Sequence, residues 1–324
     1  MKTTISIALC TYNGGKFIQK QVDSYLNQYV LPEEIIICDD GSSDDTVAII
    51  QNNISKNPGI RWKLVQNEKN LGASKNFEKA IGLCNGDIIF LSDQDDIWEK
   101  EKIGQTKLYF DNNPDCDASF SNATMIDDIE RQLPGTLLDS TFFKPAERKK
   151  YRKAELLYWT ILLGNVMTGA TMAFKRAALP VILPFHLDLG RKLWHDGWIS
   201  LSLMANERVG YIDQTLIQYR VHAAQQIGVV IRNDPFERLI MLNEYEEDFR
   251  KEYFQRYLSA YSVIKKFKEL KPLESGVEER ITKEYLIQKK KYFESQSFPE
   301  RKFRLLKWYL LGVNYISFRD LLTL

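Results

Sequence analysis

Apolar runs of strand length alternate with helically spaced ones through the first hundred residues. Residues 4–10 are apolar and β-favouring, and Thr11-Tyr12-Asn13-Gly14-Gly15 then breaks the run before a helical pattern that lasts to about Asn27. The unit repeats. Glu34 to Cys38 reads as a second buried strand, Asp39-Asp40-Gly41-Ser42-Ser43-Asp44-Asp45 as its turn and cap, and Thr46 as the start of a helix. A third strand fits Arg61 to Gln66, followed by the polar stretch 67–72 and a helix over about 73–84. The fourth, Gly86-Asp87-Ile88-Ile89-Phe90-Leu91-Ser92, ends in Asp93-Gln94-Asp95-Asp96-Ile97-Trp98, with a helix expected after Trp98 and Asp96 as its candidate N-cap. Near-continuously apolar strands alternating with helices predict an α/β fold, a mostly parallel sheet flanked by helices on both faces.

Beyond residue 115 the pattern loosens. Strands are expected at Asp117 to Asn122 and Thr171 to Lys175, an amphipathic helix at Tyr151 to Leu163, and a helix at Asp196 to Ala205. Two short strands, Arg208 to Ile212 and Leu216 to Tyr219, lead into Arg220-Val221-His222, and the stretch 126–148 reads as a long flap-like loop. From Asp234 onward the spacing is helical. The division this suggests is a sheet domain over 1–230 and a helical, basic region over 231–324.

Composition narrows the class without naming an activity. Hydrophobic content of 44% and charged content of 27% are those of a globular protein. The net charge of +1 gives no global field for nucleic acid, and no nucleic-acid partner is expected. Cys10, Cys38, Cys84 and Cys116 show no CxxC spacing and suit reduced core thiols. No secretory leader and no apolar run of the ~18 residues that span a bilayer are evident, so a cytoplasmic protein is expected. The near-neutral total conceals a basic end: between Phe249 and Arg319 there are 17 Lys and Arg against 8 Asp and Glu. Phe298, Phe303, Trp308, Tyr309 and Phe318 interleave with Arg301, Lys302, Arg304 and Lys307, a texture suited to an anionic membrane surface on the inner face of the plasma membrane, or to a solvated face of a helical bundle.

Candidate chemistry concentrates where the strands end. Three carboxylates in the four positions 93–96 cannot lie inside a strand's core, and crowded carboxylates call for a cation. Oxygen ligands favour a hard divalent ion, Mg2+ or Mn2+; the alternative is a solvated acidic turn. In parallel sheets ligands sit beyond the carboxyl ends of the strands. Thr11-Tyr12-Asn13, Asp39-Asp40, Asn70-Leu71-Gly72 and the 93–96 cluster each follow one of the four strands there. Each alone is an ordinary turn, and their coincidence on one rim marks a site.

These four segments, in this order, resemble the ordered motifs of the family 2 glycosyltransferases with a GT-A fold, over roughly residues 4–225. The resemblance implies an inverting, metal-dependent transfer of a sugar from a nucleoside diphosphate donor, with dTDP or UDP as nucleotide, to a hydroxyl of a growing lipid-linked or oligosaccharide acceptor. It implies a nucleotide site of Thr11, Tyr12, Asn13, Asp39, Asp40, Asn70, Lys75 and Asp93, with Tyr12 stacking on the base and Asp40 accepting from its N–H. Asp93 and Asp95 fall at the family's DxD, and His222 is a further metal or diphosphate candidate. Asp196, in Trp194-His195-Asp196-Gly197-Trp198, matches the acidic base that takes the acceptor proton; read without the resemblance it is a helix cap. Gly169, Trp194, His195, Trp198 and Arg220 are the candidates for contact with sugar or acceptor. His195 stands where Glu is commoner, a variant similar to bacterial rhamnosyltransferase-like members, which makes L-rhamnose from dTDP-rhamnose the first donor to test.

Rival chemistries lack their residues. There is no GxxxxGK[ST], HExxH, GxSxG or GxGxxG. The QxxRW element of processive synthases is missing too, which favours single-sugar addition. A UDP-hexose transferase of the same family and a non-catalytic nucleotide-sugar-binding scaffold subunit stay open. A sugar nucleotidyltransferase would need a Gly-rich, Lys-bearing amino-terminal loop that this chain does not have.

Overall fold

The computed structural model describes residues 3–141, 143, 145–148, 153–189, 193–222, 246–271 and 276–294. These fall into two compact units, one within Met1–Asp188 and Lys192–Ile231, the other within Leu189–Arg191 and Arg232–Leu324.

The first unit is built on a nine-stranded sheet. Strands β1 (Ile5–Thr11), β2 (Glu34–Asp39) and β4 (Ile88–Ser92) are buried along their whole length, as their apolar sequences require of strands covered on both faces. β3 (Arg61–Gln66) is the half-exposed edge. The order is β3-β2-β1-β4-β8-β6-β9-β5, with β7 paired to β6. The first four strands run parallel, and their register sets Thr11 beside Asp39, Asp39 beside Gln66, and Leu9 beside Ser92. All four carboxyl ends therefore open on one rim. Helices α1 (Ile18–Leu26), α2 (Thr46–Lys56) and α3 (Ala73–Leu83) return the chain between them.

The remaining strands make the sheet mixed. After β5 (Ile97–Trp98) and α4 (Lys102–Asn112), β6 (Ala118–Ile126) is followed by β7 (Gln132–Thr136), the short α5 (Pro145–Arg148) and α6 (Lys153–Leu163). β8 (Met172–Lys175), α7 (Leu179–Ile182), α8 (His195–Met204) and β9 (Val209–Arg220) complete the unit. β8 is antiparallel to both β4 and β6, while β9 is parallel to β6 and antiparallel to β5.

Four expectations are corrected here. The two short strands are one, β9, because a register shift against β6 carries Asp213 and Gln214 outward without ending the ladder. The stretch 126–148 is not a bare loop. β7 pairs with β6, Leu137 and Leu138 are buried, Thr136 and Asp139 form a capping box, and Arg148 pairs with Asp139 at 2.9 Å. α6 is buried over more of its surface than one apolar stripe: among its described side chains Leu156, Leu157, Tyr158, Thr160, Ile161 and Leu162 are all buried. Asp96 caps no helix, since Ile97 and Trp98 pair with Gln218 and Ile217, and α4 begins only at Lys102.

In the second unit, helices Glu246–Leu270 and Val277–Glu294 pack on each other. Tyr261 stacks on Tyr285 at 4.8 Å, and Lys268 bonds Glu278 at 2.7 Å. Among the described residues no helix is long and apolar enough to cross a membrane. Phe298 to Phe318, on which the membrane-surface expectation rests, and the boundary at 230/231 lie outside the described residues.

Candidate active site

At the end of β1, Thr11 is buried and its hydroxyl donates to Asp39 Oδ2 at 2.7 Å, while Asp39 Oδ1 accepts the backbone N–H of Gly41 and Ser42. Asp39 thus shapes the turn after β2. Asn13, in the left-handed region at φ 50°, ties the two turns together: its N–H donates to Ser42 Oγ and its Oδ1 accepts from Ser43 N. Tyr12 is 46% exposed, so its ring is free to receive a flat ligand. Its backbone is gripped on both sides by Gln94, whose Oε1 accepts from Tyr12 N at 2.8 Å and whose Nε2 donates to Tyr12 O at 3.0 Å. A side chain at Gly14 would occupy the place of the Gln94 amide, so that glycine is what lets the β4 loop reach the β1 loop.

Asp40 is buried and already engaged. Oδ1 accepts from Asn67 Nδ2 and Leu71 N, and Oδ2 from Gly72 N, each at 2.8 Å. Asn70 returns Nδ2 to Asp40 O at 3.2 Å. The polar loop 67–72 is therefore folded around this carboxylate, which makes Asp40 the anchor of the start of α3. Lys75 pairs with Glu78 on the same helix.

The carboxylates after β4 have separate surroundings. Asp95 Oδ2 lies 2.9 Å from His222 Nε2, so two predicted ligands meet although 127 positions apart. Asp93 is half-buried and its pKa is pushed up to about 8, first by burial and then by the charges of Asp95 and Asp196. Asp96 is fully buried and driven well above the usual carboxylate range, first by burial and then by Asp95 and Asp93. Its Oδ1 accepts Arg220 N at 2.9 Å, and Oδ2 has no hydrogen-bond partner among the described residues. Beneath it Lys102, buried, donates to Ala170 O at 3.1 Å and lies over the Trp98 ring; burial lowers its pKa to about 7. Crowded carboxylates with raised proton affinity and an imidazole beside them are a donor set that fits Mn2+ or Mg2+. Among the described residues no three His, Cys, Asp or Glu side chains are gathered closely enough to hold an ion unaided.

Asp196 faces this cluster from α8. It lies in the helix's first turn and is partly exposed, with Oδ1 accepting from Gly197 N at 2.7 Å and Oδ2 facing Gly169 N at 3.4 Å. The cap position belongs to Trp194, so the helix-cap reading of Asp196 is set aside.

Three assignments to sugar or acceptor are corrected. Trp198 is 0% exposed, with Nε1 donating to Ile182 O at 2.7 Å, so its ring belongs to the core. Arg220 is 0% exposed too. Its Nε donates to Asp95 O at 2.7 Å, one terminal nitrogen to Asp127 O at 3.1 Å and the other to Glu130 Oε1 at 3.3 Å, with Phe17 under its face at 4.6 Å. It braces the loop after β4 from behind. At Gly169 the close neighbours are protein: an added Cβ would meet His195 Nε2 at 3.0 Å and Asp196 Cβ at 3.6 Å.

The sequence reading missed Gln94, Phe17, Lys102 and the Asp127–Glu130 turn. Gln94 carried a signal, since it lies between the two aspartates. Phe17 did not; its ring contacts both Arg220 and His222 only through the fold.

The family described as glycosyl transferase family 2 matches residues 6–180, more than half of the chain. A chondroitin synthase of Escherichia coli is 38% identical over 99 residues, 31% of this chain and 14% of that protein. The dTDP-rhamnosyl transferase RfbG of Shigella flexneri is 40% identical over 116 residues, 34% of this chain and 40% of that one. An uncharacterized glycosyltransferase of Methanocaldococcus jannaschii is 27% identical over 223 residues, 68% and 71% of the two chains. Among solved structures, S. aureus TarS 1-349 in complex with UDP-GlcNAc superposes with a TM-score of 0.58 at 16% identity, over 93% of this chain and 78% of that one. The mannosyltransferase PcManGT from Pyrobaculum calidifontis, in complex with GDP-Man and Mn2+, has a TM-score of 0.50 at 15% identity, over 97% and 81%.

Proposed function

The chain belongs to glycosyl transferase family 2, and on that premise we propose an inverting transfer from a nucleoside diphosphate sugar in which Asp196 is the base. The observation that carries this is the place of Asp196: it is partly exposed in the first turn of α8, on a separate element from the Asp93–Asp95 loop, with Oδ2 facing Gly169 N. A base acting on the opposite side of the anomeric carbon from the departing diphosphate has to be a carboxylate outside the loop that would meet the diphosphate, and Asp196 belongs to α8 instead.

In this reading the base of the nucleotide lies on Tyr12, within the turns that Asp39 and Asp40 hold. Asp95 and His222 would hold a divalent ion, with Asp93 of the same loop as a further carboxylate for it. A bound ion would offset the charge that develops on the departing diphosphate. Asp196 takes the proton from an acceptor hydroxyl as its oxygen bonds to the anomeric carbon, and the carbon–oxygen bond to the diphosphate breaks. Asp95 is unsuited to that proton transfer, because its Oδ2 is committed to His222.

L-Rhamnose from dTDP-rhamnose is the first donor proposed, supported by the likeness to the Shigella flexneri dTDP-rhamnosyl transferase over a third of the chain. A UDP-hexose is the second, supported by the likeness to the chondroitin synthase, 38% identical over 99 residues. The full-length chain, incubated with dTDP-rhamnose, UDP-glucose, UDP-GlcNAc or GDP-mannose and Mn2+, is expected to release nucleoside diphosphate from one of them. Asp196→Asn should slow that release by about 10²–10⁴-fold with nucleotide binding retained. Turnover within a few-fold of the parent in Asp196→Asn would overturn the base assignment.

A further inference from the structure

His195 is the anomaly of the site. It is 8% exposed, and both ring nitrogens are buried without a hydrogen-bond partner among the described residues. An imidazole left so costs free energy and calls for a reason. Its surroundings are steric. The ring lies flat on Phe77 of α3, centroids 4.1 Å apart and planes at 18°. Its Nε2 edge abuts Gly169, where an added Cβ would come within 3.0 Å of that nitrogen. The backbone N–H of His195 donates to Ser74 Oγ at 3.1 Å. Burial lowers its pKa, with the neighbouring Asp196 opposing, so the ring is held uncharged.

These contacts fasten one helix start to another. Ser74 and Phe77 lie in the first two turns of α3, and α3 begins at the loop whose Leu71 and Gly72 amides are held by Asp40. Asp196 is the next residue after His195, and Gly169, against which the ring lies, is also the residue whose N–H faces Asp196 Oδ2. Sliding the ring off Phe77 would move the first turn of α8 relative to both. A displacement of about 1 Å at a reacting group is enough to cost on the order of 10²-fold in rate.

We propose that His195 is a positioning residue: a flat, uncharged wedge between Phe77 and Gly169 that fixes the Asp196 carboxylate relative to the loop anchored by Asp40. This rests on the reading of Asp196 as the base. It replaces the direct contact with sugar or acceptor expected from its sequence position, since neither ring nitrogen reaches the surface.

The test uses the full-length chain and the donor that the panel above identifies, or UDP with Mn2+ for the binding arm. His195→Asn removes the ring and is expected to lower kcat about 30-fold or more, with donor KM and UDP affinity within about twofold. His195→Phe keeps a flat ring on Phe77 and should recover most of that loss. In the Asp196→Asn background His195→Asn should cost nothing further, because it acts through Asp196. Additive losses in the double variant, or a rise in donor KM with kcat unchanged, would mean that His195 meets substrate directly and would overturn the proposal. So would a Phe variant no better than Asn. Should Asp196→Asn itself remain active, the base reading fails, whereas the His195→Phe comparison still reports on the wedge. Thermal unfolding of each variant separates a folding defect from a positional one: a His195→Asn loss of kcat matched by wild-type-like Tm supports the wedge, and a loss that vanishes when folded protein is counted overturns it.

Discussion

Arg220→Met tests whether a buried cation braces the loop that carries Asp95. In the folded chain the guanidinium donates to Asp95 O, Asp127 O and Glu130 Oε1, while its face covers Phe17. Methionine keeps the apolar contact with Phe17 and removes the charge, so the desolvation cost of burying a cation is relieved in the same step. What is lost is the set of charge-assisted bonds, and what is left is Asp95 O without that donor, while Asp127 O keeps the Glu130 N–H at 3.1 Å. Glu130 is one-third exposed and retains Lys20, so it contributes little to the balance. Hydrogen bonds to charged groups are each worth about 1.5–3 kcal/mol, and the relieved desolvation offsets part of their sum. A net loss of about 3 kcal/mol follows, or roughly 6–12 °C in Tm for a unit of this size. Urea unfolding of the full chain, read as a fall in midpoint at unchanged slope, measures it. Arg220→Lys, which keeps charge but not the planar fork, should recover no more than about half. A loss under about 1 kcal/mol in Arg220→Met, the range of a surface ion pair, would refute the bracing argument.

Three other perturbations have outcomes set by single features. Gly86→Ala would put a Cβ 2.6 Å from Ser6 N and 2.8 Å from Ile5 C, where backbone cannot retreat without moving β1; a loss of about 2–3 kcal/mol is expected, and a neutral result in urea unfolding would contradict the close approach. Trp198→Phe should destabilise by about 1–2 kcal/mol through the stranded Ile182 carbonyl while donor KM stays unchanged; a KM rise at wild-type stability would return Trp198 to the binding site. At Glu34 burial alone would raise the pKa, but bonds from Ser6 and Asn85 and the Arg61 charge outweigh it, and the net shift is downward. That contribution is present above the ordinary value of 4.5 and is lost as pH falls through the lower folded-state value, so Glu34→Gln should flatten the acid limb of stability against pH. An unaltered acid limb would count against it.

What the sequence made legible was local. β1 to β4 could be read because each apolar run is closed by Gly, Asn or Asp within a few residues, and the rim followed because parallel strands joined by helices must end on the same side. Asp95 and His222 could be named as ligand types, and the fold brings them together. The errors have a common physical origin. Trp198 and Arg220 were read as surface groups because aromatic and basic residues beside a motif usually are, yet both are enclosed by partners distant in sequence. For Trp198 a signal existed: positions 197–204 of α8 are buried on every face, and a helix apolar all round is a core helix whose tryptophan cannot face a ligand. For Arg220 none existed, since two of its acceptors are backbone oxygens, Asp95 O and Asp127 O, which carry no residue signature. The same holds for His195, whose neighbours Phe77 and Gly169 are ordinary residues in any pattern. A side chain that reacts advertises itself by type, because few residue types can do the chemistry. One that positions is recognisable only by what it touches, and so the supporting layer of this site had to come from the fold.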